Sequence, residues 1–148
     1  MYNSQKNNLE FSEDVIQEYS DNTVLEVLQQ KEDDDNSSKY ILIKHDYYSS
    51  DSDHGRELLR SFFKAINNSR FNNLIIYLVD KGTLLLDKNN PLYDAFCDLI
   101  TRSEMIIADK ESFDFYGVEP DPDSGIVKQS ADSIAEDILL IPGILILE

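Results

Sequence analysis

The chain has 148 residues, enough for one domain that buries roughly 70% of the surface its unfolded form exposes. Its formal charge of −16, from 29 acidic residues against 13 basic ones, would repel a phosphate backbone and an anionic lipid leaflet, which argues against nucleic acid and membrane surfaces as partners. Cys97 is the single cysteine, so no intramolecular disulfide forms and a reducing, cytoplasmic setting is expected.

Residues 1–10 are polar, with neither the basic nor the apolar region of an export signal, and no long apolar run follows. The expectation is a chain that is neither exported nor membrane-spanning. Residues 1–30 read as a short helical arm: Ser12 is a helix cap, Val15, Ile16 and Tyr19 share one face, and Val24, Leu25, Val27 and Leu28 repeat the spacing. Residues 31–38 form an acidic run without an apolar residue, unable to offset its own ordering entropy, and are expected to be a linker.

From residue 39 to 148 strands and helices alternate, which predicts a three-layer α/β domain: a mostly parallel five-stranded sheet with helices on both faces. Tyr40 to Ile43 is the first strand, and Asp53 is expected to cap a helix carrying Leu58, Leu59, Phe62, Phe63 and Ile66 on its core side. Leu74 to Val79 is a continuous apolar run of the kind buried on both faces, hence a central strand, and it ends at the turn Asp80-Lys81-Gly82. Pro91 is placed in the first turn of the next helix, with Leu92, Ala95, Phe96, Leu99 and Ile100 facing inward, before a strand at Met105 to Ala108. An irregular turn follows, then a short strand at Ile126-Val127, a helix capped by Ser130, and a last strand from Ile144 to Leu147 after the break at Pro142-Gly143.

Asp46, Asp80 and Asp109 each follow a strand, and the carboxyl ends of parallel strands converge on the crevice where such sheets bind ligands. Three carboxylates there could hold a divalent cation, although turn chemistry and capping account for aspartates at such places equally simply. Tyr47, Tyr48, Phe113, Phe115 and Tyr116 belong to two loops at the same edge, giving an aromatic-lined crevice or a subunit interface, or, for the phenylalanines, core packing. The loop from Ser49 to Gly55 leads into a helix amino terminus, a place for an anion, but its own Asp51 and Asp53 oppose one. Ser112 has no histidine nearby in sequence to act as a base, since His45 and His54 belong to a different loop. Cys97 falls mid-helix beside Phe96, where a small apolar side chain packs well.

Three stretches carry a family resemblance: Ile43 to Ile66 with Gly55-Arg56-Glu57-Leu58-Leu59, Phe113-Asp114-Phe115-Tyr116-Gly117-Val118, and Gly125-Ile126-Val127 leading into Ser133-Ile134-Ala135-Glu136. Together they resemble the DsrE/DsrF-like family, and within it the C-terminal domain of YedF-type proteins associated with sulfur relay and selenium metabolism. The resemblance implies a DsrE-like fold for residues 39–148, a homo-oligomer (trimer or hexamer), a sulfur-carrier protein as partner and no cofactor. It also places the two family cysteines of this loop on Asp109 and Ser112, so both thiols are missing. Sulfur relay needs a thiolate that attacks a persulfide and then carries its outer sulfur, and a serine hydroxyl neither ionises near neutral pH nor holds that sulfur. The expected function is therefore a non-catalytic binding or assembly partner in sulfur or selenium relay. The alternatives are an active transferase using Cys97 and a small acidic domain binding a metal or ligand through Asp46, Asp80 and Asp109.

Overall fold

A computed structural model describes residues 38–148. The helical arm expected at residues 1–30, and the linker up to residue 37, lie outside the described residues. Five strands, β1 (Lys39–Ile43), β2 (Leu74–Leu78), β3 (Ser103–Asp109), β4 (Val127–Gln129) and β5 (Leu145–Leu147), form one sheet in the order β4-β3-β2-β1-β5. Every neighbouring pair is parallel, so all five carboxyl ends lie along one edge. The continuous apolar run is the central strand, as its composition demands of a strand covered on both faces.

Alternation along each strand sorts the core into two layers. Ile41, Ile43, Ile76, Leu78, Ile106 and Ala108 face one side and pack with α1 (Asp53–Asn67), a 3₁₀ segment (Asp80–Leu86), α2 (Tyr93–Arg102) and α3 (Lys110–Tyr116). At its centre the Phe63 and Phe96 rings meet at 5.5 Å. Leu42, Tyr77 and Ile107 face the other side and meet the buried Ile134 of α4 (Ala131–Leu140).

Local chemistry moves several boundaries away from their expected places. Ser52, not Asp53, caps α1: its Oγ accepts the Gly55 N–H at 3.0 Å, while Asp53 takes the first helical position. Pro91 precedes α2 instead of opening it, because Asn90 Oδ1 captures the Leu92 N–H at 2.9 Å and holds the chain in a turn until Tyr93. The Asp80-Lys81-Gly82 turn extends into the 3₁₀ segment, whose Gly82 lies so close to β1 that a Cβ would stand 2.2 Å from the Ile43 carbonyl oxygen. The irregular turn expected after β3 is helical: Asp109 caps the amino end of α3, and Gly117, at φ 64°, closes the other end in the left-handed conformation.

At the amino edge of the sheet one side chain ties the end of α1 to the loop that leads into β2. The Arg102 guanidinium donates to the carbonyls of Ile66 and Ser69, both at 3.1 Å, of Phe71 at 2.6 Å, and of Asn67. A cation there also meets the negative end of the α1 dipole.

Candidate functional site

The carboxyl edge gathers the polar groups. Beyond β2, Asp80 adopts a left-handed φ of 49°, which turns its N–H toward the start of α3, where it donates to Ser112 Oγ at 3.0 Å. The Ser112 hydroxyl in turn donates to Asp109 Oδ2 at 2.6 Å, and Asp109 Oδ1 accepts the Glu111 N–H at 3.3 Å. Thr83, fully buried, donates to the Asp80 carbonyl at 2.7 Å and fixes the turn from below. Asp109 and Ser112 are themselves mostly buried, so this chain of bonds forms a wall that shows only a little of its surface.

An open recess lies on each side of the wall. One, of about 260 Å³, is bordered by Asp80, Asp109, Glu111, Ser112, Phe115 and Tyr116. Its outer boundary is a latch: the Tyr116 hydroxyl donates to Asp80 Oδ1 at 2.6 Å, and this bond, aided by lesser burial and charge effects, pushes the Tyr116 phenol up to about 12. Phe115 meets Tyr116 edge to face at 4.9 Å and leaves 80% of its surface exposed. The other recess, of about 430 Å³, runs beside α4 and combines Asp80, Asp109 and Ser112 with the apolar Leu42, Val79, Ile134, Ile138 and Ile146. Lys44 stands at its border and is paired with Glu148, whose carboxyl it holds below the usual range.

Of the residues singled out in sequence, Asp80, Asp109, Ser112, Phe115 and Tyr116 come together around the first recess. Asp46 points elsewhere, accepting from Asn90 Nδ2 at 2.9 Å. Tyr47 stacks on His45 at 4.7 Å, with the Lys81 ammonium 5.7 Å from its ring. Phe113 is core, with the Lys128 ammonium 5.1 Å from its ring centroid. The three aspartates do not make a ligand set: Asp46 is bonded to Asn90, Asp80 to Tyr116 and Asp109 to Ser112. Among the described residues no three His, Cys, Asp or Glu side chains are placed to hold a metal ion.

The loop before α1 satisfies its charges internally. Arg56 bonds Asp51 at 2.6 Å and depresses its carboxyl, and Lys81 approaches the same group at 3.7 Å. Cys97 is half-buried on α2 and borders neither recess. Sequence reasoning missed Lys44, Glu148 and Glu111 as parts of this edge. For Lys44 the signal was its place directly after the first strand, but nothing local names its partner 104 residues away.

The five-stranded all-parallel sheet with helices on both faces is a DsrE-like fold. The YchN protein of E. coli has a similar structure, with a TM-score of 0.50 at 16% identity over 75% of this chain and 100% of that one. BT1422 of Bacteroides thetaiotaomicron, a conserved protein of unknown function, gives a TM-score of 0.51 at 16% identity over 74% of this chain and 93% of its own. At that identity the likeness is one of fold, and it does not single out the C-terminal domain of YedF-type proteins within it. No protein-family profile and no curated protein matches the sequence. Among the described residues no helix is long and apolar enough to cross a membrane.

Proposed function

We propose that the protein is a non-catalytic DsrE-like protein that serves as a binding or assembly partner in cytoplasmic sulfur or selenium relay. The observation that carries this reading is the state of Ser112. The position that the family resemblance gives to a cysteine is filled by a buried hydroxyl donating to Asp109 and accepting from the Asp80 backbone. A group held on both sides is a structural strut. Neither His45 nor His54 bonds it, so no imidazole stands ready to take the serine proton.

The test is intact mass after exposure to a persulfide donor and a cysteine desulfurase system, with Cys97→Ser as control. The expected result is no gain in either protein. Gain of one sulfur by the wild type alone would make Cys97 a carrier and overturn the reading. The assembly half rests on the family resemblance, with residues 1–30 as an arm and 31–38 as a linker ahead of residues 39–148. Light scattering is expected to give a trimer or hexamer, and a strict monomer would remove that half.

A further inference from the structure

Two uneven distributions coincide. From residue 38 to 102 the chain is nearly balanced, with nine basic and eight acidic residues, whereas from Ser103 onward eleven acidic residues stand against two basic ones. The large apolar side chains left exposed among the described residues fall in that same part: Met105, Phe115, Val127, Leu139, Leu140 and Ile146. Exposed apolar groups are ordinary when scattered, but a contiguous set rimmed by charge marks an interaction surface.

Helix α4 makes part of this set contiguous. Only Ile134 on it is buried, and Ala131 and Ala135 border the recess beside it. At helical spacing Leu139 continues the row of Ala131 and Ala135 by one turn, and it is 84% exposed. On the adjacent row Asp132 and Glu136 lead to Leu140, 82% exposed. The far side of the recess is Ile146 of β5, and its floor is the Asp109 carboxylate, whose partners are a hydroxyl and a backbone N–H. The one ammonium at its border, Lys44, is already paired with Glu148.

We infer that the groove between α4 and β5 docks an amphipathic segment of a partner protein whose apolar side chains are flanked by lysine or arginine. Apolar residues of that segment enter between Ile138 and Ile146 and cover Leu139, while its cations meet Asp132 and Glu136. Charge decides among occupants. A second copy would bring an equally acidic face, and an anionic membrane would be repelled. This deepens the binding-partner reading by naming the chemistry of the partner.

The test uses the full chain and three fluorescein-labelled helical peptides of equal length: leucine and lysine at heptad spacing, serine and lysine with the same charge, and leucine and glutamate. Anisotropy is expected to show binding of the leucine–lysine peptide, weakened by salt, with both others about tenfold or more weaker. Leu139→Ser with Ile146→Ser should weaken binding about tenfold, whereas Asp94→Asn with Asp98→Asn on α2 should leave it unchanged. Leu139→Ser alone serves if Ile146→Ser lowers the melting temperature. Equal binding of the serine–lysine peptide, or equal loss with the α2 variant, would reduce the effect to diffuse charge attraction and overturn the inference. So would a homo-oligomer that dissociates on Leu139→Ser, which would make a second copy the occupant. Sulfur uptake with intact peptide binding would remove the non-catalytic reading and leave the docking groove standing.

Discussion

The two edges of the sheet solve opposite problems with similar means. At the amino edge one arginine gathers four carbonyls from the end of α1 and the loop after it, and the recess beside it is lined mainly by apolar groups. At the carboxyl edge the polar groups also bond one another, through Asp80, Ser112 and Asp109, but they do so between two open recesses. A parallel sheet aligns its strand ends, so its polar side-chain network gathers at the carboxyl edge, while at the amino edge the polar groups are backbone carbonyls taken up by one arginine. The difference shows where substitutions should harm the fold and where they should change only what the surface meets.

The sharpest break in that contrast is Arg102→Ala, which leaves several part-buried carbonyls without their charged donor and should lower unfolding free energy by about 3 kcal/mol in urea titration. A loss below about 1 kcal/mol would mean that water replaces the guanidinium and that the turn after α1 does not depend on it. Ser112→Ala belongs to the other edge and should cost about 1 to 2 kcal/mol, since it strips a buried carboxylate and a backbone N–H of one partner each. If Ser112→Ala proved the more damaging of the two, the wall and not the arginine would be the main brace.

Tyr116 gives the smallest effect and the finest resolution. Its phenol is raised from 10.0 to about 12 chiefly by the bond to Asp80, so the stability from that latch is complete below pH 10 and is lost as pH climbs through about 12. Tyr77, raised to about 12 by burial first and then by Asp137, follows the same rule. Tyr93 is raised as well, first by its bond to Cys97, so spectrophotometric tyrosine titration should show several late phenols, with Tyr116→Phe removing one and leaving the neutral-pH melt almost unchanged. If the late step kept its full amplitude in that variant, the latch would not exist in solution.

Much of the frame was legible because its signals are local. The β2 run of β-branched residues named the central strand, and Ser130 announced α4 by its own chemistry, its Oγ accepting the Ser133 N–H at 3.3 Å. Where two good caps stand side by side, the sequence reading favours Asp53 and the structure uses Ser52, a choice that local chemistry does not decide. The seven residues of α3 gave too few turns for periodicity to register, although Asp109 before them and Gly117 after them were the available boundary signals. The site was harder. Asp80 and Ser112 are 32 residues apart, and Arg102 lies 31 to 36 residues from the carbonyls it binds, separations that only the folded topology closes. Asp46 follows β1 by three residues, whereas Asp80 follows β2 by two and Asp109 ends β3, and it is bonded by Asn90, a partner no pattern announces.

The position of β5 beside β1 bears on the order in which the sheet assembles. Pairing Ile41 with Ile76 joins neighbouring strands, whereas pairing Ile41 with Leu145 closes a loop about three times as long, at an added entropic cost of about 1 kcal/mol. The shorter closures between β1 and β2 and between β2 and β3 are entropically easier and create the surface on which later strands align. Loop entropy thus favours an order in which the last strand is added to strands already paired, and its place beside β1 sets Glu148 against Lys44 at the edge where the groove lies.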